Sequence, residues 1–208
     1  MGRDARLKHN PQRDGYHKNR TEHDASVAIH EARHAVVGMR LGLELEYVIV
    51  GGAGATYDGK QMPGGAKFGG AETREMLTEQ IAMSLANAAA EYDFSMGIPP
   101  EFDLWTAPFS KSVKGDLEMA LGYAIRAVSP EDPAYVNYSD EELENMMLDK
   151  ATMTCLHDGL RQAAVIVAAS RRAIDAVANL LLANYGRRIS AEVVRQAIAS
   201  ADAAMPLL

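Results

Sequence analysis

The clearest pattern of apolar positions lies in residues 21–41. Five side chains recur there at helical spacing and share one face; they are Val27, His30, His34, Val37 and Leu41. Thr21 or Asp24 suits the N-cap position, and Gly42 stands just past the last apolar residue. The spacing therefore predicts an amphipathic helix that begins near residues 21–24 and ends near Leu41.

Two arginines, Arg33 and Arg40, lie on another stripe of this helix. The other members of the stripe are polar, which predicts that it faces solvent. Upstream of the helix the chain is basic, because residues 1–20 hold six Lys or Arg against two Asp. We expect residues 1–24 to form a polar, flexible arm and residues 25–208 to form the folded domain.

The rest of the chain combines one strand-like segment with several helical ones. Residues 44–50 alternate and turn β-branched, which predicts a strand, and eight glycines in residues 51–70 predict a loop or an irregular hairpin. Helical periodicity returns in residues 71–92, 114–128, 139–183 (with a break expected near Gly159) and 191–201. The predicted fold class is mainly α (α+β), with a small sheet or hairpin beside the first helix.

Composition narrows the class of protein. Of the 208 residues, 48% are hydrophobic and 24% are charged, which is ordinary for a globular domain, and a net charge of −7 argues against a nucleic-acid partner. Cys155 is the only cysteine, so an intrachain disulfide is excluded and a reducing compartment is favoured. The sequence has no membrane-span-length apolar run and no secretory signal pattern. We expect a cytoplasmic protein without a membrane partner.

The candidate chemistry lies in His30-Glu31-Ala32-Arg33-His34, an H-E-x-x-H motif on the first helix. Two histidines four residues apart project from one helix face, so both imidazoles can reach one Zn²⁺. Glu31 points into the same cleft, where it can take a proton from water without being a ligand. This pattern predicts one zinc per chain with Glu31 as the catalytic base.

A catalytic zinc usually has a third protein ligand. The extended motif that ends in a third histidine fails, because Val37 and Arg40 stand where its Gly and His belong. Three residues then remain as alternatives: Glu91 on a second helix, Asp116 and His157.

The order of motifs resembles the peptidase domain of the FtsH family, the membrane-bound AAA zinc proteases. The resemblance rests on HEARHAVV at residues 30–37, a strand, a glycine-rich turn, LANAAAEYDF at residues 85–94 and KGDLEMALGYAIRAV at residues 114–128. It covers roughly residues 25–200 and implies that His30 and His34 are ligands, Glu31 the base and Asp116 the third ligand. Arg33 departs from the family pattern, which has glycine at that position.

The family's ATPase module has no counterpart in the sequence. Residues 54–60 imitate a phosphate-binding loop, but Gln61 replaces the required Ser or Thr, and Pro63 with two glycines follows instead of a helix. We therefore expect no nucleotide cofactor.

These features together predict a zinc-dependent, ATP-independent endopeptidase that hydrolyses unfolded or flexible polypeptides, with a homo-oligomer left open. An extended substrate is expected to pair with the edge of the strand at Tyr47, Val48, Ile49 and Val50. The alternative is a non-catalytic zinc-binding adaptor or regulatory protein on a peptidase fold.

Overall fold

The chain folds into helices around a small antiparallel sheet, which confirms the mainly α (α+β) class. The computed structural model describes residues 11–52, 56–57, 60–69, 76–91, 104–128 and 149–204. The elements in chain order are α1 (Pro11–Arg40), β1 (Leu45–Val50), β2 (Thr56–Tyr57), β3 (Lys60–Gln61), β4 (Gly64–Phe68), α2 (Leu77–Ser84), α3 (Ala86–Glu91), α4 (Lys111–Val128), α5 (Lys150–Ala169), α6 (Arg171–Ala183), β5 (Ile189–Ser190) and α7 (Ala191–Ala203). None of the described helices is both long and apolar enough to cross a membrane.

The first helix is longer than the sequence pattern predicts. It begins at Pro11 instead of near residues 21–24, so residues 11–24 of the predicted arm are helical, while residues 1–10 lie outside the described part of the chain. The two candidate caps are therefore interior helical positions.

Three strands form the sheet beside α1, in the order β4-β1-β5, and both neighbours of β1 are antiparallel to it. The prediction that residues 47–50 offer a free edge to a substrate is wrong, because β1 is the central strand. Tyr47 and Val48 pair with β5, Gly186 N–H donates to the Val50 carbonyl at 2.8 Å, and β4 pairs along the other side. Among the described strands, the edge near α1 belongs to β4.

The short segment that imitates a phosphate-binding loop is a hairpin where it is described. Thr56 pairs with Gln61 and Tyr57 with Lys60, while residues 53–55 and 58–59 lie outside the described residues. The chain continues from Gln61 into β4, so the segment leads into a strand and not into a helix.

Two buried apolar clusters organise the helices. One joins α1, the sheet, α6 and α7, with Ala28, Ala32, Ala35 and Val36 as the contribution of α1. The other joins α2, α3, α4 and α5 and includes Leu85, Leu117 and Leu160. The face of α1 that carries the two histidines of the H-E-x-x-H motif meets α2 and α3, between the two clusters.

The break expected near Gly159 is absent, because α5 runs without interruption from Lys150 to Ala169. A Cβ at Gly159 would lie 2.5 Å from Ile81 Cγ2 and 3.3 Å from the backbone nitrogen of Ala82. The glycine therefore serves a close approach of α5 to α2, and it is buried at that contact. Residues 139–148 of the predicted helical region lie outside the described part of the chain.

Candidate metal centre

Three side chains that can bind metal converge between the two clusters: His30 and His34 from α1 and Asp116 from the second turn of α4. The two Nε2 atoms are 3.3 Å apart. Asp116 Oδ1 is 3.3 Å from His34 Nε2, and Asp116 Oδ2 is 3.5 Å from His30 Nε2. The potential ligand atoms all lie within 4.8 Å of one another, which is close enough to bind one metal ion.

The orientation of His34 is set by its other ring nitrogen. His34 Nδ1 lies 3.0 Å from the carbonyl oxygen of Met83 in a buried contact. A carbonyl only accepts, so Nδ1 must carry the proton. Nε2 is therefore the nitrogen that faces His30 and Asp116, an arrangement that metal-binding histidines commonly use.

The electrostatics of the cluster favour a positive charge. Burial alone would lower the pKa of His34, but the charge and hydrogen bond of Asp116, with the charge of Glu31, raise it to about 9. Burial alone would raise the pKa of Asp116, but His34 and His30 lower it to about 2. The pocket thus holds an anionic carboxylate and retains a proton on His34, and the same field attracts a metal cation.

Glu31 lies beside His30, His34 and Asp116 but is not one of the three converging residues. Its side chain is buried, and this burial raises the pKa of its carboxyl group, although His34 and His30 partly offset the effect. The backbone of Ala66 in β4 hydrogen-bonds to Glu31. A carboxyl group whose pKa is raised by burial, beside a potential metal site, is suited to exchange protons.

Glu31 is also packed tightly against the sheet. A Cβ at Gly64 would lie 2.8 Å from Glu31 Cγ, 3.0 Å from Glu31 Oε1 and 2.8 Å from Val27 Cγ1. Gly64 therefore leaves the space that the Glu31 side chain occupies. The strand β4 and the H-E-x-x-H helix approach each other closely at this point.

The other two candidate ligands lie apart from this cluster. Glu91 ends α3, and its two carboxylate oxygens accept from the backbone N–H of Ser110 at 3.0 Å and from the Ser110 hydroxyl at 2.6 Å. It thereby ties the end of α3 to the start of α4, the helix that carries Asp116. His157 lies on α5 and is not among the converging residues.

The sequence reasoning missed one residue of the site, Asn87 on α3, which is almost completely buried. Its amide nitrogen lies 3.0 Å from His34 Nε2, 3.3 Å from Asp116 Oδ2 and 3.4 Å from the His30 carbonyl. The signal was present: Asn87 is the one strongly polar residue between Leu85 and Glu91 in an otherwise alanine-rich turn. Such a residue on a small-residue helix needs polar partners when it is buried.

The prediction that Arg33 faces solvent is wrong. Arg33 is half-buried, and its Nη1 donates to Asn87 Oδ1 at 3.2 Å. Burial lowers the pKa of the guanidinium, and the carboxylates of Glu91 and Asp175 oppose that change. Arg40 is exposed, as the pattern predicts, and pairs with Asp202 at 2.6 and 2.7 Å. The difference arises because α3 packs on α1 at Arg33.

Comparisons with known proteins add no assignment to this geometry. No protein-family model matches the sequence, and no curated protein matches it either.

Proposed function

We propose that the protein is a zinc-dependent endopeptidase with a peptidase domain similar to that of the FtsH family. The observation that carries the proposal is the placement of Glu31, a buried carboxyl group with a raised pKa, beside the converging His30, His34 and Asp116.

The donor set and its spacing fit zinc. Tetrahedral zinc with nitrogen and oxygen ligands at about 2.0–2.1 Å requires ligand atoms about 3.3–3.4 Å apart. Here the two Nε2 atoms are 3.3 Å apart, and Asp116 places one oxygen 3.3 Å from His34 Nε2 and the other oxygen 3.5 Å from His30 Nε2. Two imidazoles and one carboxylate also form the usual ligand number of a catalytic zinc site, which keeps its fourth position open.

Zinc, when bound, would act as a Lewis acid and make water a competent nucleophile near neutral pH. Glu31 accepts the proton of the attacking water and donates it to the leaving amine. Its raised pKa suits both directions of transfer, since a strongly acidic carboxylate would be a poor proton donor to the amine. The His34 contact with the Met83 carbonyl keeps the Nε2 lone pair free for the metal.

We place the substrate along β4 and not along β1. Ala66 directs its backbone toward Glu31, and Gly64 touches the Glu31 side chain, so this edge passes the proposed base. An extended polypeptide that pairs with β4 would have its backbone held by hydrogen bonds beside His30 and Glu31. Because such pairing requires an extended chain, unfolded or flexible polypeptides are the expected substrates, and we propose that ATP is not needed.

The alternative function is that of a non-catalytic zinc-binding adaptor on the same fold. Such a site would gain nothing from Glu31, because burying a carboxyl group costs free energy when the group does not bind the metal. The geometry therefore supports the peptidase better.

The test compares the purified wild-type chain with Glu31→Gln, which keeps the shape of the side chain but cannot accept a proton. Cleavage of an unfolded, casein-like substrate should fall by roughly 10²–10⁴-fold, while zinc content stays equal. Equal turnover by the two proteins would rule out the peptidase. Zinc binding with no turnover by the wild type, with or without ATP and Mg²⁺, would favour the adaptor.

A further inference from the structure

Asn87 contacts the side chains of the metal centre, and Arg33 contacts Asn87, although neither residue is a histidine or a carboxylate. Asn87 is the point at which α3 meets the α1 residues His30 and His34 and the α4 residue Asp116. Arg33 reaches the same amide from the other side. The two residues thus connect the three helices that meet at the metal centre.

The orientation of the Asn87 amide follows from the chemistry of its neighbours. A guanidinium has only donors, so the amide oxygen must face Arg33. The –NH₂ group is then directed toward Asp116 Oδ2 and the His30 carbonyl, which both accept, and it lies 3.0 Å from His34 Nε2. Without Arg33, the amide oxygen of Asn87 would lose its hydrogen-bond donor. The amide could then rotate so that its oxygen, instead of its –NH₂ group, faces the Asp116 carboxylate.

A count of donors and acceptors links this amide to metal binding. The two N–H groups face two oxygen acceptors, the His30 carbonyl and Asp116 Oδ2, and the amide nitrogen also lies 3.0 Å from His34 Nε2. A metal ion on His34 Nε2 would use the lone pair of that nitrogen. The His30 carbonyl and Asp116 Oδ2 then remain, one acceptor for each N–H.

We infer that Arg33 and Asn87 act as a positioning pair for the metal centre, in which Arg33 fixes the Asn87 amide and Asn87 holds Asp116 and the His30 backbone in the metal-binding arrangement. Neither residue is a ligand in this arrangement. The inference rests on the metal site of the proposed function and is independent of the peptidase chemistry.

The experiment measures zinc affinity by competition with a chromophoric chelator, and the visible absorption spectrum of the Co²⁺ form. The variants are Asn87→Leu, Arg33→Met and the double variant, with Arg40→Met as the matched control because Arg40 lies on the same helix and binds Asp202 instead. Residues that orient metal ligands typically contribute about 10–100-fold to affinity. We expect a loss of that size for Asn87→Leu and a smaller loss for Arg33→Met.

Two features of the result decide whether Arg33 acts through Asn87. In the Asn87→Leu background, Arg33→Met should cause no further loss, and Arg40→Met should stay within about twofold of wild type. Both Asn87→Leu and Arg33→Met should change the Co²⁺ spectrum, which a loss of stability alone does not. A simple charge effect predicts the opposite sign, because removal of a cation near the site would tighten zinc binding.

Three results would overturn the positioning pair: wild-type affinity in Asn87→Leu, tighter binding in Arg33→Met, or an equal Arg33→Met effect in both backgrounds. If Asn87→Leu does not fold, the sign of the Arg33→Met effect and its Co²⁺ spectrum decide. Failure of the wild type to bind zinc would overturn the metal site and the pair together. Zinc binding without turnover would overturn only the peptidase function, and the zinc affinities of the variants would still test the positioning pair.

Discussion

The contact between β4 and Glu31 allows a test with two neighbouring glycines. Neither Gly64 nor Gly65 has a positive φ, so alanine is compatible with the backbone at both positions. A Cβ at Gly64 would lie 2.8 Å from Glu31 Cγ, whereas a Cβ at Gly65 would have no neighbour within 4 Å. The two substitutions change the unfolded chain in the same way. Their difference therefore isolates the contacts with Glu31 and Val27.

The size of the effect follows from the overlap. Ordinary Cβ contacts begin near 3.4 Å, so Glu31 or the strand must move by a few tenths of an ångström. A displacement of 1 Å in a catalytic group costs about 10²-fold in rate, so a shift of half that size should cost about 10-fold. The overpacking should also lower the free energy of unfolding by about 1–3 kcal/mol. Gly65→Ala should remain within about twofold of wild-type turnover.

The assay is cleavage of an unfolded labelled substrate under zinc saturation, with chemical unfolding of each variant alongside. Gly64→Ala should lose turnover and retain zinc, because the three atoms nearest to the added Cβ belong to Glu31 and Val27 and not to the proposed metal ligands. In the Glu31→Gln background the same substitution should cause no further loss, since the proposed base is already removed. Wild-type turnover in Gly64→Ala, or an equal loss in Gly65→Ala, would refute the reasoning.

Three further predictions concern the third ligand, pH and packing. Asp116→Ala should abolish zinc binding while Glu91→Ala retains it, measured as zinc per chain; the reverse result would contradict the convergence of ligands. In the metal-free protein, the folded pKa of His34 of about 9 lies above its ordinary value of 6.5. Its contribution to the free energy of unfolding is therefore complete below pH 6.5 and lost as pH rises through 9, a decrease of up to about 3 kcal/mol. Denaturant unfolding in the presence of EDTA measures this decrease, and His34→Gln should remove it. Finally, Gly159→Ala should destabilise the fold by about 1–3 kcal/mol, because its Cβ would overlap Ile81; an unchanged unfolding midpoint would show that α5 and α2 can separate without cost.

Local features were predictable from the sequence, because periodicity and motif spacing are local properties. The helix that carries His30 and His34, the strand at residues 45–50 and the last helix all lie where the apolar pattern placed them. The start of α1 was not predictable, because good capping residues inside a helix remain helical when the upstream residues extend it. The continuity of α5 was not predictable either. Gly159 is required by the close packing of α5 on α2 and does not break the helix, and the sequence alone does not show this packing.

Which residues from other helices reach the two histidines, and which strand lies at the edge of the sheet, depended on tertiary packing. Residue spacing alone left Glu91, Asp116 and His157 open, and only the resemblance to the FtsH family favoured Asp116. The structure places Asp116 at the histidines, whereas the Glu91 carboxylate accepts hydrogen bonds from Ser110. The strand β1 was likewise assigned correctly as a strand but wrongly as an edge, since strand order in a sheet is set by pairings between distant segments.

By itself, then, the sequence determined the element types and the face of α1 that carries two histidines and a glutamate, because i, i+4 spacing puts side chains on one face wherever the helix lies. Only the tertiary structure decided which residues from other helices complete that face. It brought Asp116 and Asn87 to the histidines, turned Arg33 from solvent to the Asn87 amide, and placed β4 beside Glu31. These contacts join residues 29 to 86 positions apart in the chain, so they follow from how the two apolar clusters pack and not from any local pattern.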